Sequence, residues 1–208
     1  FSQWIRQQLD DVVTGAGFAE IEISSDGDNA KGRDELAVRA TRNRSLPDTV
    51  GPGMRLLVCG LNPSLNAADA GVGFFKNGNR YWPAALAAGL VTRDRDPVHA
   101  LMHHGIGMTD IVKRATARAD EVDHEEFRAG MHRLERLVRW LQPGAVCFVG
   151  LVSWRTAVDR KATAGVQPGD LGGRPVYVMP STSGLNARTS LDDLTAHLRA
   201  AAALGATS

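Results

Sequence analysis

The sequence predicts an α/β protein: a three-layer α/β/α sandwich around a central, mostly parallel sheet of about four or five strands. Three observations lead there. Continuous apolar runs at residues 54–59, 145–150 and 175–179 end in turn formers, as strands buried on both faces do. An amphipathic stretch over 124–141 places Phe127, Met131, Leu134, Leu137 and Leu141 three or four residues apart. Strands that alternate with helices are joined by crossovers, which makes neighbouring strands parallel.

Taken in order, residues 1–46 differ from the rest. An amphipathic helix is expected over 1–13, with Trp4, Ile5, Leu9, Val12 and Val13 near one face. Gly15 and Gly17, a short apolar stretch at 18–23 and a polar run at 24–35 follow, then Arg39, Arg42 and Arg44 just before Leu46-Pro47. This segment reads as an N-terminal extension, partly helical or flexible, and 47–208 as the main domain. The first buried strand runs into Gly60-Leu61-Asn62-Pro63-Ser64. Pro63 cannot continue a central strand, so Asn62 is delivered to a strand's carboxyl end, where open α/β sheets bind ligands. Residues 65–80 read as one long loop with Phe74 and Phe75 at its centre. Its Gly71-x-Gly73 lacks the third glycine of a dinucleotide fingerprint, which excludes that motif. Tyr81-Trp82-Pro83 opens a helix that stops near Gly89, with Asn79 as its expected cap.

His99, His103 and His104 have no carboxylate or thiol at ligand spacing and read as surface or internally satisfied side chains. Gly105 and Gly107 lead into a short extended segment ending at Asp110. A carboxylate there either caps a turn or acts as a general base. The 124–141 helix is capped near Asp123 and ended by Pro143-Gly144; a second helix is expected over 152–160. The third strand stops at Pro180-Ser181-Thr182-Ser183-Gly184-Leu185-Asn186-Ala187-Arg188, and Ser190 with Asp193 forms a capping box for the last helix.

The totals narrow the function classes. The 208-residue chain, 43% hydrophobic, is long enough for a good core. Its net charge of +1 excludes bulk polyanion binding and requires any nucleic-acid face to come from local clustering. Cys59 and Cys147 sit in apolar runs, which indicates neither a zinc site nor a disulfide framework. No apolar run reaches the ~18 residues of a membrane span. A cytosolic monomer without metal or organic cofactor is expected.

The loops after the first and third strands both open on the same edge of a parallel sheet. One supplies an amide; the other supplies small hydroxyls, an apolar Leu185 and a cation, Arg188. An exposed leucine among polar neighbours suits insertion into a base stack, although such a residue also serves as a hydrophobic staple. Five pieces in one order then become recognisable: Gly60-Leu61-Asn62-Pro63-Ser64, the loop from Gly71 to Phe75, Asn79-Arg80-Tyr81-Trp82 with Ala88-Gly89-Leu90, Gly105-Ile106-Gly107-Met108-Thr109-Asp110-Ile111-Val112, and Met179-Pro180-Ser181-Thr182-Ser183-Gly184-Leu185. Together they resemble the mismatch-specific uracil-DNA glycosylases and their thymine-DNA glycosylase relatives, over about residues 47–203.

The resemblance implies double-stranded DNA containing uracil or mismatches as partner, base flipping, and hydrolysis of the N-glycosidic bond. It assigns Asn62 to the attacking water. It places Gly60, Leu61, Ser64, Ser181 and either Phe74 or Phe75 around the base, and Ser183, Gly184, Leu185, Asn186 and Arg188 at the duplex. Two positions depart from the pattern. Ser64 stands where glycine is expected, and Asp110 where an amide or lysine is expected. A neutral amide orients water but cannot take its proton, which makes Asp110 the candidate base. A non-catalytic nucleic-acid binder and a nucleoside hydrolase are the competing readings. An ester hydrolase lacks its Gly-x-Ser-x-Gly elbow.

Overall fold

In a computed structural model, residues 6–26 and 35–206 are described. The central sheet has five strands: β3 (Leu56–Gly60), β4 (Ile106–Asp110), β5 (Ala145–Val149), β6 (Gly165–Leu171) and β7 (Arg174–Met179). Their order is β4-β3-β5-β7-β6, parallel except for the antiparallel edge strand β6. Helices α2 (Leu65–Ala70), α3 (Tyr81–Ala87), α4 (Pro97–His104), α5 (His124–Leu141), α6 (Leu151–Ala157) and α7 (Leu191–Ala206) complete this part of the chain.

The three layers follow from the period-two alternation of buried strands. Leu56 and Val58 of β3, with Cys147 of β5 and Met179 of β7, pack against Tyr81 and Trp82 of α3 and Leu194 and Leu198 of α7. Leu57 and Cys59, with Val146, Phe148 and Val178, point the other way onto Phe127, Leu134 and Val138 of α5 and Trp154 of α6. Both faces of the sheet are therefore apolar, as the sequence pattern required.

Several elements depart from expectation. The 65–80 segment is not one loop. Ser64 caps α2 by accepting a hydrogen bond from the Ala67 amide, and Gly71 ends it at φ 67°. Arg80, not Asn79, is the N-cap of α3; Asn79 instead accepts the Tyr81 amide at 3.0 Å in a local turn. The edge strand β6 is additional. Residues 1–5 of the predicted first helix, including Trp4 and Ile5, lie outside the described residues; from Arg6 to Gly15 the helix α1 is present. After it, β1 (Phe18–Asp26) and β2 (Glu35–Arg42) pair as an antiparallel ribbon.

A buried ionic cluster ties the N-terminal part to the sheet. Asp48 accepts from Lys113 Nζ at 2.6 Å, Arg133 at 2.8 Å and the Thr109 hydroxyl at 2.7 Å. The three charged side chains are each less than one-tenth exposed. Burial alone would raise the Asp48 carboxyl, but the two cations bring it below its ordinary value. Nearby, Asp11 of α1 holds Arg136 of α5 through two bonds of 2.7 and 2.8 Å. Asp48→Ala would strand two buried cations, with an expected loss of about 3–5 kcal/mol. A urea-unfolding midpoint shift reads it.

Candidate active site

The sheet order reverses direction at β3, whose neighbours are β4 on one side and β5 on the other. At that switch point the loops leaving the carboxyl ends of the strands part and leave a crevice. A cavity of about 560 Å³ lies there, lined by the residues after β3, by Asp110 at the end of β4, by Val149 at the end of β5 and by Ser181, Thr182 and Ser183 after β7. Phe74, Phe75, Lys76 and Asn79 close it from the α2–α3 loop, and Leu46, Arg118 and Asp120 stand at its rim.

The loops after β3 and β4 are zipped together beyond the strands. Ile111, Val112 and Thr116 donate backbone bonds to the carbonyls of Gly60, Leu61 and Pro63 at 3.1, 2.9 and 3.1 Å. This arrangement fixes Asn62. Its amide nitrogen donates to the Thr116 hydroxyl at 2.7 Å and to the Arg114 carbonyl at 3.2 Å. Thr116 in turn donates to the Arg118 carbonyl at 2.7 Å, which leaves its oxygen as the acceptor for Asn62. With its nitrogen anchored, Asn62 presents its carbonyl oxygen, which has no partner among the described residues.

Asp110 pairs in register with Gly60 across β3 and β4. Its carboxylate occupies the space a side chain at position 60 would need: a Cβ there would overlap Asp110 Oδ1 and lie 3.7 Å from the Phe74 ring. Glycine at 60 is thus what admits the carboxylate to the pocket. Asp110 is 8% exposed and its side chain makes no hydrogen bond among the described residues. It caps no turn, so the turn-capping alternative does not describe this carboxylate. Burial pushes its carboxyl up to about 6; Asp48 adds to the rise, while Lys113 and Arg133 oppose it. Cys59 also feels Asp110, and burial keeps that thiol protonated.

Phe74 sits at φ 57°, a left-handed conformation uncommon for a large residue and typical of strained functional positions. It is held there by stacking on Tyr81, with centroids 4.4 Å apart and planes 24° apart, and by Trp82 donating to the Gly73 carbonyl at 2.8 Å. Phe75 lies against the Arg95 guanidinium, 5.4 Å from the ring centre. Ser64 lines the cavity with its hydroxyl committed to the α2 cap. Leu61 lines it too while packing on the α5 side of the core.

The second loop projects away from the sheet. Leu185 is 91% exposed at its tip, a large apolar side chain held in water. Ser181 and Ser183 accept the amides of Ser183 and Leu185, each at 3.3 Å, and Asn186 donates to the Ser181 carbonyl at 2.9 Å. Gly184 and Arg188 are exposed beside Leu185. The predicted site residues of the two loops therefore meet at one crevice, Leu185 and Ser183 lining it directly and Asn186 and Arg188 flanking it. Sequence reasoning missed Thr116, Leu46 and Arg118. Thr116 lies 54 residues from Asn62, and nothing local marks it.

Fold and crevice together define an open, parallel-sheet α/β protein with its ligand site at the strand ends. Residues 47–204 match the family model described as the Uracil DNA glycosylase superfamily, which is well over half of the chain. The chain belongs to that superfamily, whose members are in general hydrolytic DNA glycosylases.

Proposed function

We propose that this protein is a monofunctional, mismatch-specific uracil-DNA glycosylase that removes uracil, chiefly opposite guanine, from double-stranded DNA and leaves an abasic site. The carrying observation is the pair of polar groups that share one cavity. These are an amide with its nitrogen anchored and a carboxylate that burial pushes up to about 6, and neither the amide oxygen nor the carboxylate has a hydrogen-bond partner among the described residues.

The target nucleotide is turned out of the duplex into the crevice, which is the only way its sugar C1′ becomes reachable. The base stacks on the face of Phe74 opposite Tyr81. The Asn62 carbonyl oxygen accepts a hydrogen bond from a water and orients it toward C1′. Asp110 accepts a proton from that water as its oxygen bonds to C1′. The C1′–N1 bond breaks, its electron pair leaves with the base, and the resulting uracil anion is stabilised by donors around the pocket before it is protonated. Leu185 enters the space vacated in the stack, and Arg188 neutralises backbone phosphate. Residues 47–208 carry this chemistry and 1–46 form an extension to it; the enzyme works as a cytosolic monomer.

The exposed Leu185 favours duplex DNA over a free nucleoside, because a small substrate has no use for an apolar finger outside its pocket. A base-release panel tests the reading. Duplexes carrying uracil opposite guanine or adenine, single-stranded uracil DNA and free deoxyuridine are incubated with wild-type protein. Release from the uracil–guanine duplex is expected to be fastest. Release from deoxyuridine alone would make it a nucleoside hydrolase, and binding without release would make it a non-catalytic DNA binder.

A further inference from the structure

Arg80 stands in the α2–α3 loop, yet its guanidinium is spent on the other side of the crevice. It donates to the carbonyls of Thr189, of Asn186 at 2.6 Å and of Ser183 at 3.4 Å. Its own amide donates to the Thr182 carbonyl at 2.9 Å. These acceptors bracket Leu185 on both sides in sequence. The two loops also touch directly, since a Cβ on Gly184 would lie 2.9 Å from the Gly78 carbonyl oxygen. Asn186 closes the far end by donating to the Thr189 hydroxyl at 3.0 Å. Three carbonyls converging on one planar fork form a geometry that arginine satisfies and lysine does not. Nη1 and Nη2 are engaged inward and Nε is buried without a partner among the described residues, so Arg80 is not placed to serve a phosphate.

We infer that Arg80 is a positioning residue that locks the Leu185 loop to the Phe74 loop, so that wedge and stacking platform act as one preformed body. The role rests on the glycosylase reading above. Immobilising the tip in advance matters because an apolar side chain on a loose loop loses its freedom only on insertion, and that ordering is subtracted from binding. Small misplacements of such groups cost up to about a hundredfold in rate.

Four variants test it: Arg80→Ala, Arg80→Lys, Leu185→Ala and Arg80→Ala combined with Leu185→Ala. Hydrogen exchange reads the loop without substrate; both Arg80 variants are expected to speed exchange at Leu185, Asn186 and Ala187 and to leave β7 unchanged. Single-turnover cleavage of the uracil–guanine duplex is expected to fall about ten- to a hundredfold in both. In the Leu185→Ala background the Arg80→Ala change is expected to cause no further loss, because neighbours acting through one another are not additive. The salt dependence of binding to a duplex with non-cleavable 2′-fluorodeoxyuridine should not change. Unaltered loop exchange, additive losses, or a salt slope reduced by about one would each overturn the positioning role. A wild type that leaves the uracil duplex intact would instead remove the glycosylase reading, and the wedge role with it.

Discussion

Asp110→Asn is expected to lower single-turnover uracil release by about 10²–10⁴-fold while leaving the protein at least as stable as wild type at about pH 8. The combination follows from the carboxylate's surroundings. The Asp110 side chain is buried and makes no hydrogen bond among the described residues, and burial pushes its carboxyl up to about 6 from the ordinary 3.8. A carboxyl whose folded-state value is raised adds stability below its unfolded value and loses that contribution as pH rises through the folded one. Above pH 6 the ionised group is a net cost, on the order of 2–3 kcal/mol. Asparagine removes the charge and keeps the shape. A thermal midpoint that rises or holds, beside a collapsed rate, separates a functional carboxylate from a structural one. A variant that melts lower and still cleaves normally would make Asp110 a structural residue.

Asn62→Asp is expected to lose about 10²–10³-fold in the same assay, even though it adds a carboxylate to the pocket. The Asn62 nitrogen donates to the Thr116 hydroxyl oxygen and the Arg114 carbonyl, with the Pro63 carbonyl farther off at 3.4 Å. Aspartate brings no donor to either and sets oxygen against oxygen, so the side chain must turn out of its anchored position. If position 62 served as the proton acceptor, aspartate would match or exceed the wild type; measured cleavage at that level would reverse the division of labour between Asn62 and Asp110.

How far the sequence reveals this molecule depends on the distance over which each feature is encoded. The three inner strands, β3, β5 and β7, are buried on both faces, so each reads as an apolar run such as Leu56-Leu57-Val58-Cys59. The cap of α5 near Asp123 and the capping box of α7 at Ser190 are local and legible, while the return bond from Glu126 that completes a box at α5 comes from the structure. β6 was not: Gly165, Pro168 and Gly169 argue against a strand, and only an edge position with an irregular register between Val166 and Asp170 tolerates them. The ribbon of β1 and β2 carries Glu20, Glu22, Arg39 and Thr41 toward solvent and lacks the apolar run of an inner strand. α2 is six residues long, too short for periodicity to show.

The site divides in the same way. Asn62, Asp110 and Leu185 stand at strand ends or loop tips and could be named from their neighbours. Phe74 and Phe75 both line the cavity, and the stacking of Phe74 on Tyr81 is a tertiary contact that their local sequence does not show. Thr116 behind Asn62, Asp48 between Lys113 and Arg133, and Arg80 beneath the Leu185 loop act across 54, 65 and 106 residues of chain. No window of sequence contains such pairs.

The most direct test of Asp110 as the general base is the pH dependence of single-turnover uracil release from a uracil–guanine duplex, wild type beside Asp110→Asn. The ionised carboxylate is the active form, so the wild-type rate should rise about tenfold per pH unit below an apparent pKa of about 6 and level off above it. Burial sets most of this value, and the charged groups that act on it are Lys113, Asp48 and Arg133. In Asp110→Asn the limb should vanish, leaving a low rate that does not change across that range. A wild-type rate already flat from pH 5 to 8, or a limb near pH 6 that survives in the variant, would contradict the assignment.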